Sequence, residues 1–187
     1  MANMELLGKF ILGFEGGFAN DPDDLGGATN KGVTIATWKA QGYDKDGDGD
    51  IDVQDLKLIT DADALAIMRK NFWNRWRADE IKSQSLANLL VDWVWGSGKW
   101  GITLVQQLLG VKADGIVGPK TLAALNRQDP KTFFYRVWQR RKKYIYDICN
   151  SRPKNRKYIN GWLRRLQYIQ YGSLRMSNGK LYKFSDL

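Results

Sequence analysis

The sequence predicts an α+β protein that is predominantly α-helical and has one small β-hairpin. Apolar residues recur at helical spacings along most of the 187 residues. Capping and stop residues bracket these stretches, and only the segment 18–34 has the Asn, Asp, Gly and Thr content of a hairpin. The chain is long enough for one good core or for a domain with a small companion.

The N-terminal part is predicted to contain three helices. The first covers residues 4–15 and ends at a pair of glycines. A short second helix is capped by Thr34, and a third is capped by Thr60 and carries an apolar face. The boundary and face residues are Gly16 and Gly17 after the first helix, Trp38 and Gly42 near the end of the second, and Leu65, Met68, Phe72 and Trp76 on the third.

The remaining part is predicted to contain five helices. Ser85 is expected to cap the first of these, which places Leu86, Leu89, Leu90 and Trp93 at helical spacing. The others are bounded by glycine, proline or aspartate signals. They cover Trp100 to Leu109 before Gly110, Pro119 to Asn126, Asp129 to about Cys149, and Trp162 to Tyr171 after a basic break at 151–157.

The composition excludes several kinds of hydrolytic site. Because the chain has no histidine, Ser-His-Asp and Cys-His nucleophile pairs and the usual His-bearing zinc sites are impossible. Hydrolysis would therefore depend mainly on carboxyl groups. The single cysteine, Cys149, is expected to be a packed free thiol, and no disulfide framework can form within one chain.

Charge is distributed unevenly along the chain. Residues 1–80 hold nine Lys/Arg against fifteen Asp/Glu, a net charge of −6, and residues 81–187 hold twenty against five, a net charge of +15. The basic part should bind a polyanion, which could be nucleic acid, an anionic membrane or an anionic cell wall. We expect neither a signal peptide nor a membrane-spanning helix.

Glu15 stands where the first predicted helix must stop. It follows Leu7 and Ile11 at steps of four, so its carboxyl group continues an apolar, core-facing row. The negative end of the helix dipole and the apolar neighbours both favour the protonated form of a carboxyl group at this place. Since a general acid must carry a proton near neutral pH, Glu15 is a candidate for that role.

The segment after Glu15 contains further groups that suit glycoside hydrolysis. If it folds as a hairpin, Asp24 and Thr29 face back toward Glu15. An acid, a second carboxylate and a hydroxyl that holds water are the parts such a reaction needs. A capped helix followed by an Asx-rich turn explains the same residues equally well.

These residues also carry a family resemblance. The run from Glu15 to Phe18, then Asn20-Asp21-Pro22, and then Gly26 to Thr34 closely resembles the N-terminal signature of the glycoside hydrolase family 108 muramidases. The resemblance implies a lysozyme-like fold and places the catalytic role on Glu15. By analogy to phage lysozymes, it makes Asp24 and Thr29 the candidate partners.

The resemblance covers most of residues 4–170. Asn71-Phe72-Trp73 looks like an aromatic segment of the family, Val111 to Leu122 resembles its peptidoglycan-binding element, and Gly161-Trp162-Leu163 also matches. We therefore expect a lysozyme-like catalytic region at 1–98 and a helical region with the peptidoglycan-binding element at 99–187, packed as one globule. In one departure from the family, Gly96 stands where an asparagine is common.

An acidic loop at 44–55 has the spacing of a calcium-binding loop. It carries acids at positions one, three, five, nine and twelve and glycine at position six, and it resembles EF-hand and dockerin loops. The predicted ligands are Asp44, Asp46, Asp48, Asp50 and Asp55. A single such loop suits structural stabilisation. The short aspartate side chain at position twelve would weaken calcium binding or allow magnesium to bind. A solvated acidic turn is the alternative.

Other residues are candidates for binding substrate. The predicted substrate-binding set is Thr34, Trp73, Asp92, Trp95 and Trp100. The remaining aromatic residues fall mostly at helical spacings and are expected in the core. The basic run 140–143 is either a solvated helix face or, together with 152–157, a surface for an anionic wall polymer.

The sequence therefore predicts a peptidoglycan hydrolase that cleaves between N-acetylmuramic acid and N-acetylglucosamine, with no cofactor required for the chemistry. Its partner would be peptidoglycan and not nucleic acid, and we expect a monomer that stays in the cytoplasm until it is released or exported to the wall. The alternative is a non-catalytic, calcium-stabilised peptidoglycan-binding module.

Overall fold

The structure is a computed structural model that describes residues 1–20 and 27–186. In the first part of the chain, helices surround a two-stranded hairpin. The first helix begins after Asn3, whose side chain accepts from the Glu5 N–H at 2.8 Å. The elements are α1 (Met4–Phe14), β1 (Thr29–Asn30), β2 (Val33–Thr34), α2 (Ile35–Gln41), α3 (Val53–Leu58) and α4 (Asp61–Met68).

The helix predicted after Thr60 has a different form from the one expected. Thr60 does cap α4, but the α-helix stops at Met68. A π-helical turn, Arg69–Trp73, and a 3₁₀ turn, Asn74–Trp76, continue the chain, and Arg77 ends it at a φ of 50°. A wider and then a tighter turn keep the apolar side chains on one face, so their spacing alone does not reveal the change.

The second part of the chain contains five α-helices. Ser83, and not the predicted Ser85, caps the first of them by accepting from the Leu86 N–H at 3.1 Å. Ser85 is instead buried and accepts from the Gly172 N–H at 2.8 Å. These helices are α5 (Gln84–Ser97), α6 (Trp100–Leu109), α7 (Pro119–Asn126), α8 (Pro130–Ser151) and α9 (Ile159–Tyr168), with a 3₁₀ turn at Pro153–Tyr158.

A second small sheet follows α9, and its first strand replaces the end of the helix that was predicted to reach Tyr171. It consists of β3 (Ile169–Gln170), β4 (Ser173–Arg175) and β5 (Leu181–Lys183), paired antiparallel in that order. The helix ends where Ile169 takes extended geometry, and Gly172 has a φ of 75° in the turn between β3 and β4. The predominantly helical α+β class is confirmed, with one more sheet than predicted.

One hydrophobic core draws on both parts of the chain. It contains Leu7 and Ile11 of α1, the inner face of α5, and residues as far along as Met176. A smaller cluster joins the hairpin to α2, α3 and α4 around the buried Trp38. Cys149 is a buried free thiol, as predicted, and burial raises its pKa. Among the described helices, none is both long and apolar enough to cross a membrane.

Candidate active site

Glu15 occupies the C-cap of α1, where the backbone turns from helical to extended geometry. Two donors bind one oxygen of its side chain. The Trp95 indole N–H donates to Oε1 at 2.9 Å, and Nη1 of Arg165 donates to the same atom at 2.8 Å. The expected apolar surroundings are thus only part of the environment, because a cation also lies against the carboxyl group.

The hairpin packs its turn against Glu15. Thr29 pairs with Thr34 and Asn30 with Val33, and the two turn residues, Lys31 and Gly32, both have positive φ. A Cβ at Gly32 would lie 2.8 Å from Cδ of Glu15 and would overlap the Trp95 ring. Glycine is therefore required here for both conformation and space.

Arg165 links Glu15 to a buried carboxylate. Its Nε and Nη2 donate to Oδ1 of Asp92 at 3.0 and 2.8 Å, while Nη2 of Arg141 donates to Oδ2 at 2.7 Å. Asp92 is fully buried, and the Arg165 guanidinium also lies over the rings of Phe10 and Phe14. We call Glu15, Trp95, Asp92, Arg141 and Arg165 the Glu15 network.

The charges of the network stabilise one another. Burial disfavours ionised Asp92, but the guanidinium groups of Arg165 and Arg141 hold its pKa below the ordinary value. Burial likewise opposes the charge of Arg165, yet the carboxyl groups of Asp92 and Glu15 raise its pKa above the ordinary value. Arg165 therefore stays positively charged, and its hydrogen bonds hold the guanidinium in one orientation.

An open cleft of about 400 Å³ reaches the Glu15 side chain. The end of α1 and the glycines that follow form one wall. Lys31 of the hairpin turn and Asp61 at the start of α4 form the other, joined by an ion pair of 2.6 Å. The cleft gives Glu15 access to solvent, and its side chain is 21% exposed.

The predicted catalytic partners have different outcomes. Thr29 lies on β1, in the hairpin whose turn contacts Glu15, and its backbone pairs with Ala19. Asp24 lies outside the described residues. Thr34 caps α2, since its hydroxyl accepts from the Thr37 N–H at 3.2 Å.

The other predicted substrate-binding residues divide between core and surface. Trp73 is completely buried, and its indole N–H donates to Asp79 at 2.8 Å. The structure therefore does not place Trp73 or the buried Asp92 where a glycan can touch them. Trp95 is partly buried and holds Glu15, while Trp100 is 57% exposed at the start of α6.

Sequence reasoning missed Arg165 and Arg141. One available signal was the position of Arg141 on an apolar row of α8, four residues from both Val137 and Ile145. A charged residue in such a row indicates a buried partner of opposite charge. No comparable pattern marks Arg165, which is an intermediate, partly buried residue in a basic helix.

The acidic loop adopts an ordered conformation around its first aspartate. Asp44 accepts from the N–H groups of Gly47 and Gly49 at 2.6 and 2.9 Å, and Gly49 has a φ of 99°. The acidic residues form two groups, and in each group one carboxylate oxygen per residue lies within 4.8 Å of the others. The groups are Asp44, Asp46 and Asp48, and Asp50, Asp52 and Asp55.

The donor chemistry of the loop suits a hard divalent cation. Repulsion from the Asp48 carboxylate raises the pKa of Asp50, and partial burial with repulsion from Asp48 raises the pKa of Asp46. Asp55 differs, because backbone N–H groups of Asp52 and Lys45 lower its pKa and occupy its oxygens. The loop could hold a metal ion, with Asp55 also supporting the loop backbone.

Comparison with known families identifies the two parts of the chain. The model of the glycosyl hydrolase 108 family matches residues 8–98, and a model described as a predicted peptidoglycan domain matches residues 100–167. Residues 8–98 therefore belong to the glycosyl hydrolase 108 family. The chain is a peptidoglycan hydrolase with glycoside hydrolase activity, and its partner is cell-wall peptidoglycan.

A solved structure supports the same assignment. SagA from Brucella abortus is 26% identical to this chain, with a TM-score of 0.69. The match covers 85% of this chain and 86% of SagA. The predicted lysozyme-like fold is thereby confirmed. No protein with a curated description matches the sequence.

Proposed function

We propose that the chain is an N-acetylmuramidase in which Glu15 is the general acid. The observation that carries this assignment is the Glu15 network: a carboxyl group in a cleft, oriented by Trp95 and by Arg165, which is itself held by the buried Asp92. Such pre-positioning is what proton transfer to a leaving glycosidic oxygen requires.

The arrangement assigns different tasks to the two oxygens of Glu15. Both donors bind Oε1, so in the protonated acid this atom serves as the carbonyl oxygen. The proton then sits on Oε2 and passes to the leaving oxygen as the oxocarbenium-like transition state develops. Arg165 and Trp95 remain donors to Oε1 throughout and stabilise the carboxylate that forms.

The second catalytic function is proposed for Asp24 together with Thr29. Asp24, with Thr29, would activate the attacking water or stabilise the developing positive charge. The placement of Thr29 on the strand that precedes the Gly32 turn supports this assignment, because that turn packs against Glu15.

Glu15→Gln tests the proposal. Glutamine retains an oxygen to accept from Trp95 and Arg165, so the variant should fold normally but lose at least about 100-fold of its activity, since it has no proton to transfer. Release of reducing ends from purified peptidoglycan measures the loss, and Glu5→Gln on the exposed face of α1 is the matched control. Wild-type release by Glu15→Gln would remove Glu15 from the mechanism.

We also propose that the acidic loop binds calcium as a structural ion. Asp44, Asp46, Asp48 and Asp50 would supply most of the ligands, and magnesium would be a competitor. The mutual repulsion of these carboxylates supports a cation there. The chemistry itself needs no cofactor. The monomeric state, storage in the cytoplasm before release and contact with anionic wall polymers stay predictions.

A further inference from the structure

The outward face of α8 opens onto two adjoining clefts. The inward face of this helix packs in the core through Phe133, Phe134, Val137, Arg141, Ile145 and Cys149. On the other side, a basic cleft of about 760 Å³ and an amide cleft of about 570 Å³ share Tyr135 and Gln139 as common walls. Each is large enough for a sugar ring or a short peptide.

The basic cleft is defined by cations on successive turns of α8. Arg136, Arg140 and Lys143 line it beside Leu108, and none of the described residues that line it is acidic. Nη1 of Arg140 is buried without an acceptor among the described residues. Because a buried, unpaired donor is unfavourable, a ligand that brings an acceptor would stabilise this guanidinium once the Arg140 side chain turns toward the cleft.

The other cations of the basic cleft are only weakly engaged. Lys143 pairs with Asp147 at 2.8 Å, but both side chains are exposed and such pairs contribute little. Arg136 donates to the Leu108 carbonyl oxygen at a long 3.4 Å. A carboxylate-bearing ligand would therefore find guanidinium groups ready to form charge-assisted hydrogen bonds.

The amide cleft has a different chemistry. Aromatic rings of Tyr135, Trp138 and Tyr171 lie beside the side-chain amides of Gln139 and other glutamines, and the described residues that line it carry no charge. Tyr135 is 51% exposed. Flat apolar rings with amide donors and acceptors fit a neutral, N-acetylated sugar. The remaining glutamines are Gln167 and Gln170.

The two clefts are separate from the cleft at Glu15. They share no lining residue with it. Arg141, on the inward side of α8, bonds to Asp92 in the Glu15 network, so the body of the helix lies between the two surfaces. A ligand on the outward face would leave the catalytic cleft accessible.

We propose that the outward face of α8 is a second peptidoglycan-binding surface, with an N-acetylated sugar in the amide cleft and the acidic stem peptide in the basic cleft. The inference rests on the proposed function only because it takes peptidoglycan to be the polymer that binds at this surface. A neutral cleft beside a cationic one matches a neutral sugar joined to an acidic peptide. A wall polymer with uniformly spaced phosphates would not match the uncharged amide cleft.

The test is the binding of a soluble disaccharide–peptide fragment of peptidoglycan to the full chain, measured by titration calorimetry. Arg136→Gln combined with Arg140→Gln should weaken binding at least about tenfold, because both charge-assisted bonds are lost. The control is Lys120→Gln combined with Arg127→Gln, which removes the same charge from exposed positions in α7 and directly after it that line neither cleft.

A second pair of variants tests the sugar half. Tyr135→Ala should weaken binding of the disaccharide with or without its peptide, whereas Tyr146→Ala, an exposed tyrosine of α8 outside both clefts, should not. Equal weakening by the α7 control, unchanged binding in the Arg136/Arg140 variant, or tighter arginine-dependent binding of poly(glycerol phosphate) would overturn the proposal. The fragment is chosen with N-acetylmuramic acid at its reducing end, so it lacks the linkage that the proposed activity cleaves. A failure of the proposed catalysis would therefore appear separately, in the reducing-end assay.

Discussion

At the scale of single residues, the direction of the Glu15 side chain depends on Arg165. The guanidinium uses two nitrogens for the buried Asp92 and a third for Glu15. This fork has a fixed geometry, which a lysine cannot reproduce with a single ammonium group. Asp92 in turn is fixed by Arg141, so the orientation of the acid is set by a chain of buried ion pairs.

We expect Arg165→Lys to lower kcat by about tenfold or more while KM stays within about twofold, because the substitution keeps the charge but loses the fork. Steady-state rates on soluble glycan strands measure the two constants. Arg164→Lys, at the neighbouring exposed position of α9, is the control. A wild-type kcat for Arg165→Lys would show that Arg165 does not position Glu15.

The residues of the site were unequally predictable. Glu15 was found because its spacing from Leu7 and Ile11 is a local pattern. Trp95 was predicted as a substrate-binding aromatic residue near the end of the region 1–98. Arg165 contacts Glu15 across 150 positions, and no local periodicity encodes such a pair. Asp92 was predicted to contact substrate, but it is buried and instead holds the Arg165 guanidinium in position.

At the scale of elements, local signals located most helix ends. Thr34, Thr60 and Asp129 cap the helices that they were expected to cap. Ser83 and Ser85 are both capable caps, and tertiary packing selects Ser83 because the Ser85 hydroxyl accepts from the Gly172 N–H instead. The strands β3 to β5 were missed because each has only two or three residues, too short for an alternating pattern.

The acidic loop gives an element-scale prediction. Calcium should raise the melting temperature, with a gain in stability of about 2.7 kcal/mol when its concentration is 100 times the Kd. Asp44→Ala should abolish this calcium-dependent shift, and Glu5→Ala should retain it. Thermal unfolding with calcium, magnesium or chelator measures the effect. Equal shifts in Asp44→Ala and the wild type would leave the loop as a solvated turn.

At the scale of the whole molecule, the two family segments complete one another. Glu15 and Asp92 lie within residues 8–98, and both of their arginine partners lie within 100–167. The large core also takes side chains from both segments. Catalytic and peptidoglycan-binding segments therefore share a single buried network, although the sequence patterns describe them separately.

This sharing predicts that residues 1–98 do not form an active enzyme alone. The fragment lacks Arg141 and Arg165, which hold Asp92, and it lacks the core side chains that residues 99–187 supply, so it exposes the apolar face of α5. We expect the fragment to unfold without a cooperative transition, by near-ultraviolet circular dichroism, and to release no reducing ends. A cooperatively folded and active fragment would contradict the shared network.

The most direct test of the central claim is mass spectrometry of peptidoglycan digested by the wild-type chain and by Glu15→Gln. The account predicts fragments that end in a reducing N-acetylmuramic acid with the wild type, and none with the variant. Fragments that end in N-acetylglucosamine, cleavage within the peptide, or the same muramic-acid products from Glu15→Gln would contradict it.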